Sequence, residues 1–197
     1  MAANVLSEAN LDKDEILKLA IELEGHPDNV APAIYGNMII AFMEDGNLYH
    51  ESIKVPEEIR FLAIVPNFEL STEKARAVLP KEIPHKHGVF NVSRCALLIA
   101  AFTKNNLDLV KAACKDKFHQ DYRSHLINNY DDIVAYANSL DSLGTFLSGA
   151  GPTIMTLAKD GDDEILDKMK SYLAALPDNW QILDLHCDPN GAYYKEV

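Results

Sequence analysis

Glu24, His26, Asp28 and Asn29, polar side chains able to hold or steer a ligand, fall within six residues of the stretch Glu24-Gly-His-Pro-Asp-Asn-Val-Ala-Pro-Ala-Ile-Tyr-Gly36. Gly25 ends a helix before them, and Pro27 and Pro32 allow another to start after them. Carboxylates at such a place do two opposed things. As anions they favour the positive end of a helix, and as ligands they hold a divalent cation that can neutralise a phosphate. Both uses suit phosphoryl transfer. The plainer use is structural, with Asp28 capping the helix and His26 closing the turn, and spacing alone leaves both readings open.

A second set lies further along. Thr72, Arg76 and Arg123 could form a clamp for a carboxylate, because guanidinium gives planar, two-pronged recognition that an ammonium cannot. Ser148-Gly-Ala-Gly-Pro152 could present backbone N–H groups to an anion, although short glycine turns between strands are also ordinary structure. Isolated arginines are equally at home in solvent. His85, His87, His119 and His125 lack the spacing of a zinc site and read as loop residues. Ser148 is no nucleophile elbow, since Phe146 stands where that motif needs glycine.

These residues need elements to carry them. Asp12 and Glu15 have capping-box spacing ahead of Ile16, Leu19, Ala20 and Leu23, the rhythm of an amphipathic helix. A short helix follows from about Asn29 to Tyr35. Two strand-like runs, Asn37 to Phe42 and Leu48 to Val55, flank the hairpin signal Glu44-Asp-Gly-Asn47. Phe61 to Val65 reads as a buried strand, and Ser71-Thr72 as the cap of a helix that stops before Pro80. Pro84 to Gly88 reads as a loop, followed by a long helix through Ala101. Leu107 to Lys115, Tyr130 to Leu140 and Asp162 to Leu176 read as helices. Leu143 to Leu147, Thr153 to Ala158 and Trp180 to His186 read as strands, and Asp188-Pro-Asn-Gly191 as a hairpin turn before a last strand ending at Val197. Uneven alternation with antiparallel turns points to an α+β fold.

Composition bounds the rest. A chain of 197 residues with 48% hydrophobic residues can bury a core as one domain or two small ones. With 18 Lys and Arg against 30 Asp and Glu, the net charge of -12 argues against nucleic-acid or anionic-membrane partners. No apolar run approaches the ~20 residues of a membrane span. Cys95, Cys114 and Cys187, an odd number at wide spacing behind no cationic and apolar leader, fit a reduced, cytoplasmic setting.

Glu22-Leu-Glu-Gly-His-Pro-Asp-Asn-Val-Ala-Pro-Ala33 together with Phe146-Leu-Ser-Gly-Ala-Gly-Pro-Thr153 closely resembles the homoserine kinases of the GHMP kinase superfamily. Ser71-Thr-Glu-Lys-Ala-Arg76 with Leu79-Pro80, Phe90-Asn-Val-Ser-Arg94 and Asp121-Tyr-Arg123 resemble further segments in the same order, so the likeness spans nearly the whole chain. It implies a remnant of the GHMP N-terminal domain over residues 1–57 and a ferredoxin-like C-terminal domain over 58–197. It also implies transfer of the γ-phosphate of ATP, with Mg²⁺, to the side-chain hydroxyl of L-homoserine on the threonine pathway. Matched residue by residue, Glu24 resembles the Mg²⁺ ligand, with Glu22 as the alternative. His26 and Asp28 resemble substrate contacts, Asp28 suiting the ammonium group. Asn29 stands where related kinases place a catalytic Asp, and an amide cannot be a general base. Thr72, Arg76 and Arg123 resemble the side that holds the substrate carboxylate, and Gly149 and Gly151 the loop that closes over the reacting groups.

The family's Pro-x-x-x-Gly-Leu-Gly-Ser-Ser loop, which cradles the ATP phosphates, is not among these residues. The resemblance puts it just before Met1, and Met1 to Ala9 read as the far end of the helix it opens. The expectation is therefore the C-terminal two-thirds of such a kinase, poorly active alone. A non-catalytic module that binds a small amino acid is the competing expectation. Ile39, Ile40 and Phe42 are expected to leave an apolar strand edge open to self-association.

Overall fold

The computed structural model describes residues 2–195. The chain divides into two compact units, one made of residues up to Val55 together with those from Cys187 onward, the other running from Pro56 to His186.

The first unit opens with α1 (Ala2–Leu6) and α2 (Lys13–Glu24). The capping box forms as the spacing predicts: Glu15 N–H donates to Asp12 Oδ1 at 2.8 Å, and Asp12 N–H to Glu15 Oε2 at 2.9 Å. Leu17 and Ile21, one turn apart, are buried against Ala31 and Ile34 of α3 (Val30–Tyr35). Each such side chain withdrawn from water contributes about 1.5–3 kcal/mol, which is what holds so short a helix as α3. A two-stranded antiparallel hairpin follows, β1 (Met38–Glu44) and β2 (Asn47–Ile53), with Asp45 and Gly46 both at positive φ in the turn. Ile40, Phe42, Met43 and Tyr49 stay exposed on it, and the Phe42 and Tyr49 rings stack with centroids 5.1 Å apart.

The last described residues depart from the expected hairpin and strand. Residues 188–192 form a strap against the end of α3: Asn37 N–H donates to Asp188 O at 2.8 Å and Ala192 N–H to Ile34 O at 3.1 Å. A Cβ on Gly36 would stand 2.6 Å from the Pro189 carbonyl carbon, so only glycine allows the strap to lie there. No strand forms over residues 192–195, and Val197 lies outside the described residues.

In the second unit, β3 (Ile59–Val65), β4 (Gly144–Leu147), β5 (Ile154–Lys159) and β6 (Gln181–Leu185) form one antiparallel sheet in the order β4-β5-β3-β6. Helices α4 (Thr72–Ala77), α5 (His85–Thr103), α6 (Val110–Ala113), α7 (Gln120–Arg123) and α8 (Tyr130–Ser139) lie between β3 and β4, and α9 (Asp163–Ala174) lies between β5 and β6. This is the βαββαβ order and strand arrangement of a ferredoxin-like sheet, and with its antiparallel pairing the fold is α+β. Leu62, Ile64 and Ile154 on one sheet face pack with Ile133 and Ala137 of α8 and Ile165, Met169 and Leu173 of α9. Tyr136 and Tyr172 stack at 4.0 Å where those two helices meet.

His85 to Gly88 belong to α5, not to a loop. Pro84 sits at the N-cap, where no N–H is asked of it. A glycine inside a helix costs only about 1 kcal/mol, less than the later turns recover by burying Ala101 and Phe102. The segment from His119 to Leu126 is α7 followed by a single 3₁₀ turn over Ser124–Leu126.

One arginine pins the sheet internally. Arg60 on β3, 5% exposed, donates from Nε to Asp184 Oδ1 at 2.9 Å and from Nη1 to Asp163 Oδ1 at 2.9 Å, with Nη2 closing the fork on Asp184. It ties β3, β6 and α9 together. The Asp184 bond first, then Asp163, outweigh burial and raise its pKa above the ordinary arginine value.

Candidate functional site

The predicted residues fall into two groups, one in each unit. In the first unit, α2 ends at Gly25 in the left-handed region, and the chain runs through His26 and Pro27 to Asn29 at the N-cap of α3. Glu22, Glu24, Asp28 and Asn29 are exposed and His26 is half-buried. His26 Nδ1 and Asp28 Oδ1 share a hydrogen bond, and Asn29 N–H donates to the same oxygen at 3.0 Å. Asn29 makes no side-chain cap bond. Asp28 is therefore held by its neighbours without closing the first turn of α3, and the capping reading accounts for it only in part.

The second unit brings its group together through Arg123. That residue, at the end of α7, donates from Nε to Ala75 O at 3.0 Å and from Nη1 to Gly149 O at 3.0 Å. Ala75 lies on α4 between Thr72 and Arg76, so one guanidinium joins that helix to the Ser148–Pro152 turn. The turn is tight: Gly151 N–H donates to Ser148 O at 2.9 Å and Ser148 N–H to Thr153 O at 2.9 Å. Gly149 and Gly151 both hold positive φ, at 56° and 83°.

Arg123 makes a third contact, Nη1 to His119 Nδ1 at 3.3 Å. Among the described residues no partner meets Nη2, which leaves two N–H donors for a ligand. Burial first, then the neighbouring Arg76 cation, pull the Arg123 pKa below its ordinary value, with Asp116 opposing. Two guanidinium groups that repel one another beside unused donors make a site that gains from an anion.

Residues the sequence reading passed over build this arrangement. Asp116 accepts from Asn91 Nδ2 at 2.6 Å and from the backbone N–H groups of Phe118, His119 and Gln120 at 3.0, 2.7 and 2.8 Å. Burial pushes its carboxyl upward, yet these donors outweigh it and hold the pKa below the ordinary aspartate range. Gln120 Oε1 accepts from Leu147 N–H at 2.9 Å and from the Tyr130 hydroxyl at 2.8 Å, fixing the end of β4 just before the glycine turn. The two bonds that anchor it, Asn91 to Asp116 and Leu147 to Gln120, join residues 25 and 27 positions apart, so no local pattern announces them.

Residues 98–175 match the family described as GHMP kinases C terminal. The homoserine kinase of Clostridium botulinum (strain ATCC 19397 / Type A) is 48% identical over 191 residues, 97% of this chain and 64% of that protein. This chain carries a GHMP kinase C-terminal domain. The homoserine kinase of Clostridium beijerinckii is 45% identical over 192 residues, 98% of this chain and 64% of the relative. The chain thus spans 64% of the length of these curated relatives. The crystal structure of a homoserine kinase from Cytophaga hutchinsonii superposes with a TM-score of 0.88 at 27% identity, covering 96% of this chain and 62% of that one.

Kinases of this family work with ATP and, typically, Mg²⁺. Magnesium is commonly held by one or two carboxylates completed by phosphate oxygens and water. The exposed carboxylates of Glu24 and Glu22 fit that donor chemistry, and among the described residues no group of three or more His, Cys, Asp or Glu could hold an ion without a ligand's help. No described helix is long and apolar enough to cross a membrane.

Proposed function

We propose that this chain serves the transfer of the γ-phosphoryl group of ATP to the side-chain hydroxyl of L-homoserine, giving O-phospho-L-homoserine for threonine biosynthesis in the cytoplasm. The observation that carries the reading is the Arg123 arrangement: a guanidinium anchored to Ala75 O and Gly149 O, beside Arg76, with two donors left over. An α-carboxylate is a group that such oriented, charged donors recognise. Thr72 adds a hydroxyl on the same helix, and Gly149 and Gly151 let the turn approach the substrate closely.

In the first unit, Asp28 takes the substrate ammonium, with His26 holding its carboxylate in place. Glu24, or Glu22 in its stead, holds Mg²⁺, which when bound supplies charge neutralisation on the transferring phosphate. Asn29 has no basic group and acts by orientation. That suffices, because phosphoryl transfer passes through a loose transition state in which positioning and charge stabilisation supply most of the rate. Of the edge expected at Ile39, Ile40 and Phe42, Ile39 instead packs against the core of the first unit, while the exposed Ile40 and Phe42, with Met43, support self-association through that surface, which a monodisperse monomer in light scattering would exclude.

A second reading is a small-amino-acid-binding module without catalysis. It is favoured by the fact that Thr72, Arg76, Arg123 and the glycine turn all lie within one unit. Two measurements separate the readings. ADP release by the full-length protein, dependent on L-homoserine and Mg²⁺, is expected for the kinase, and its absence beside calorimetric binding of L-homoserine would leave the module. The kinase reading also expects O-phospho-L-homoserine as the product by ³¹P NMR, where phosphate release alone would reject it.

A further inference from the structure

We infer that Asp116 and His119 are positioning residues for substrate binding, acting through Arg123; this rests on the carboxylate-clamp reading given above. The argument starts from proton bookkeeping on the imidazole. Arginine only donates, so the 3.3 Å contact from Arg123 Nη1 requires His119 Nδ1 to be an unprotonated acceptor. The ring proton then sits on Nε2, which faces Asp116 Oδ1 at 3.9 Å. The negative carboxylate selects this tautomer by attraction to the Nε2–H, and the tautomer presents a lone pair to the guanidinium.

Asp116 does more than orient the ring. It gathers three successive backbone N–H groups, Phe118 to Gln120, and the Asn91 amide, and Asn91 Oδ1 accepts in turn from Lys117 N–H at 2.9 Å. The segment leading into α7 is thereby tied to α5, and Arg123 rises from it at a set height over Ala75 O and Gly149 O. With Nε and both Nη1 hydrogens committed, the plane of the guanidinium is fixed and the Nη2 edge is presented in one orientation. A flexible arginine would lose side-chain entropy on gripping a carboxylate; this one has already been ordered.

The test compares two substrates in the full-length protein: L-homoserine and 3-aminopropan-1-ol, which has the hydroxyl and amine but no carboxylate. Asp116→Asn and His119→Leu are expected to raise the KM for homoserine about tenfold, the scale of losing one hydrogen bond to a charged group. The KM for ATP and kinetics with aminopropanol should move much less, so the preference for homoserine shrinks. Arg123→Ala serves as reference and should abolish most of that preference. If Arg123→Ala shrinks the preference but Asp116→Asn and His119→Leu depress both substrates in proportion, or only lower the melting temperature, the positioning role is overturned while the clamp stands. If Arg123→Ala leaves the preference intact, the clamp reading falls and the positioning role with it. Should Asp116→Asn fail to fold, His119→Leu, which removes the acceptor and keeps the backbone cap, decides the question alone.

Discussion

Arg60 and Arg123 are both partly or fully withdrawn from water, and the protein treats them in opposite ways. Arg60 meets two carboxylates, Asp184 through a fork and Asp163 singly, and its positive charge is answered inside the fold. Arg123 meets two backbone carbonyls and a neutral imidazole nitrogen, with no carboxylate among its partners in the described residues, and a second arginine stands nearby. The pKa directions follow, upward for Arg60 and downward for Arg123. A cation whose charge is balanced by its own chain is a fastener; one that is oriented with donors to spare is what the proposed clamp requires.

This contrast can be broken experimentally. Replacing Arg60 by leucine should have the largest effect on stability. The two stranded carboxylates reach solvent, Asp163 at 79% and Asp184 at 35% exposure, so the loss belongs at the lower end for a broken buried pair, about 2–3 kcal/mol in a urea titration. The KM for homoserine should not change, and a shift there matching the loss of stability would erase the distinction. Arg123→Ala should show the reverse, less than about 1 kcal/mol in stability, since the freed carbonyls can find water, but more than a tenfold rise in homoserine KM. Arg123→Lys should not rescue it, because an ammonium cannot keep the bonds to Ala75 O and Gly149 O and still present charged donors from the same plane; full rescue would reduce the site to simple charge attraction.

Acid should act on the fastener. The Arg60 bond lowers the Asp184 pKa against the pull of burial. The resulting stability is present above the unfolded aspartate pKa of about 3.9 and is lost as pH falls through the lower folded value. The gap between the original protein and Arg60→Leu should therefore hold from pH 7 to 5 and narrow below pH 4. A constant gap would mean that Asp184 is not linked to Arg60. The smallest effect is expected of Asp163→Asn, within about 0.5 kcal/mol, because the partner is so exposed; a larger loss would make the second carboxylate an equal member of the pair.

Much of the local architecture could be read from the sequence where short-range chemistry sets it. Asp12 and Glu15 stand three apart and form their box; Asp45-Gly46 turns the hairpin; Ser71 caps α4 by accepting from Lys74 N–H at 3.2 Å. Thr72, Arg76 and Arg123 read as a clamp from arginine chemistry and from family likeness alike, and the bonds of Arg123 tie their helix to the separately read Gly149 turn. What escaped was non-local. Nothing in the run from Cys114 to Gln120 shows that Asp116 closes on Asn91 or that Gln120 reaches Leu147. Asp188 to Gly191 has the composition of a hairpin turn, and only its partners, Ile34 and Asn37, make it a strap. His85 to Gly88 misled because histidine, lysine and glycine lack helical rhythm, although the turns after them have it.

That strap has a bearing on how the protein is made. Asn37 bonds to Pro189 across a separation of 152 residues, so the first unit closes only after the whole of the second has been synthesised. At about 5–20 residues per second, its early helices wait roughly ten to thirty seconds on the ribosome for their last strand of contacts. The second unit, continuous in sequence, has no such delay and can mature first. During that interval Leu17, Ile21 and Ile34 must hold α2 and α3 together without the strap, and the exposed hairpin beside them is the surface a chaperone would meet.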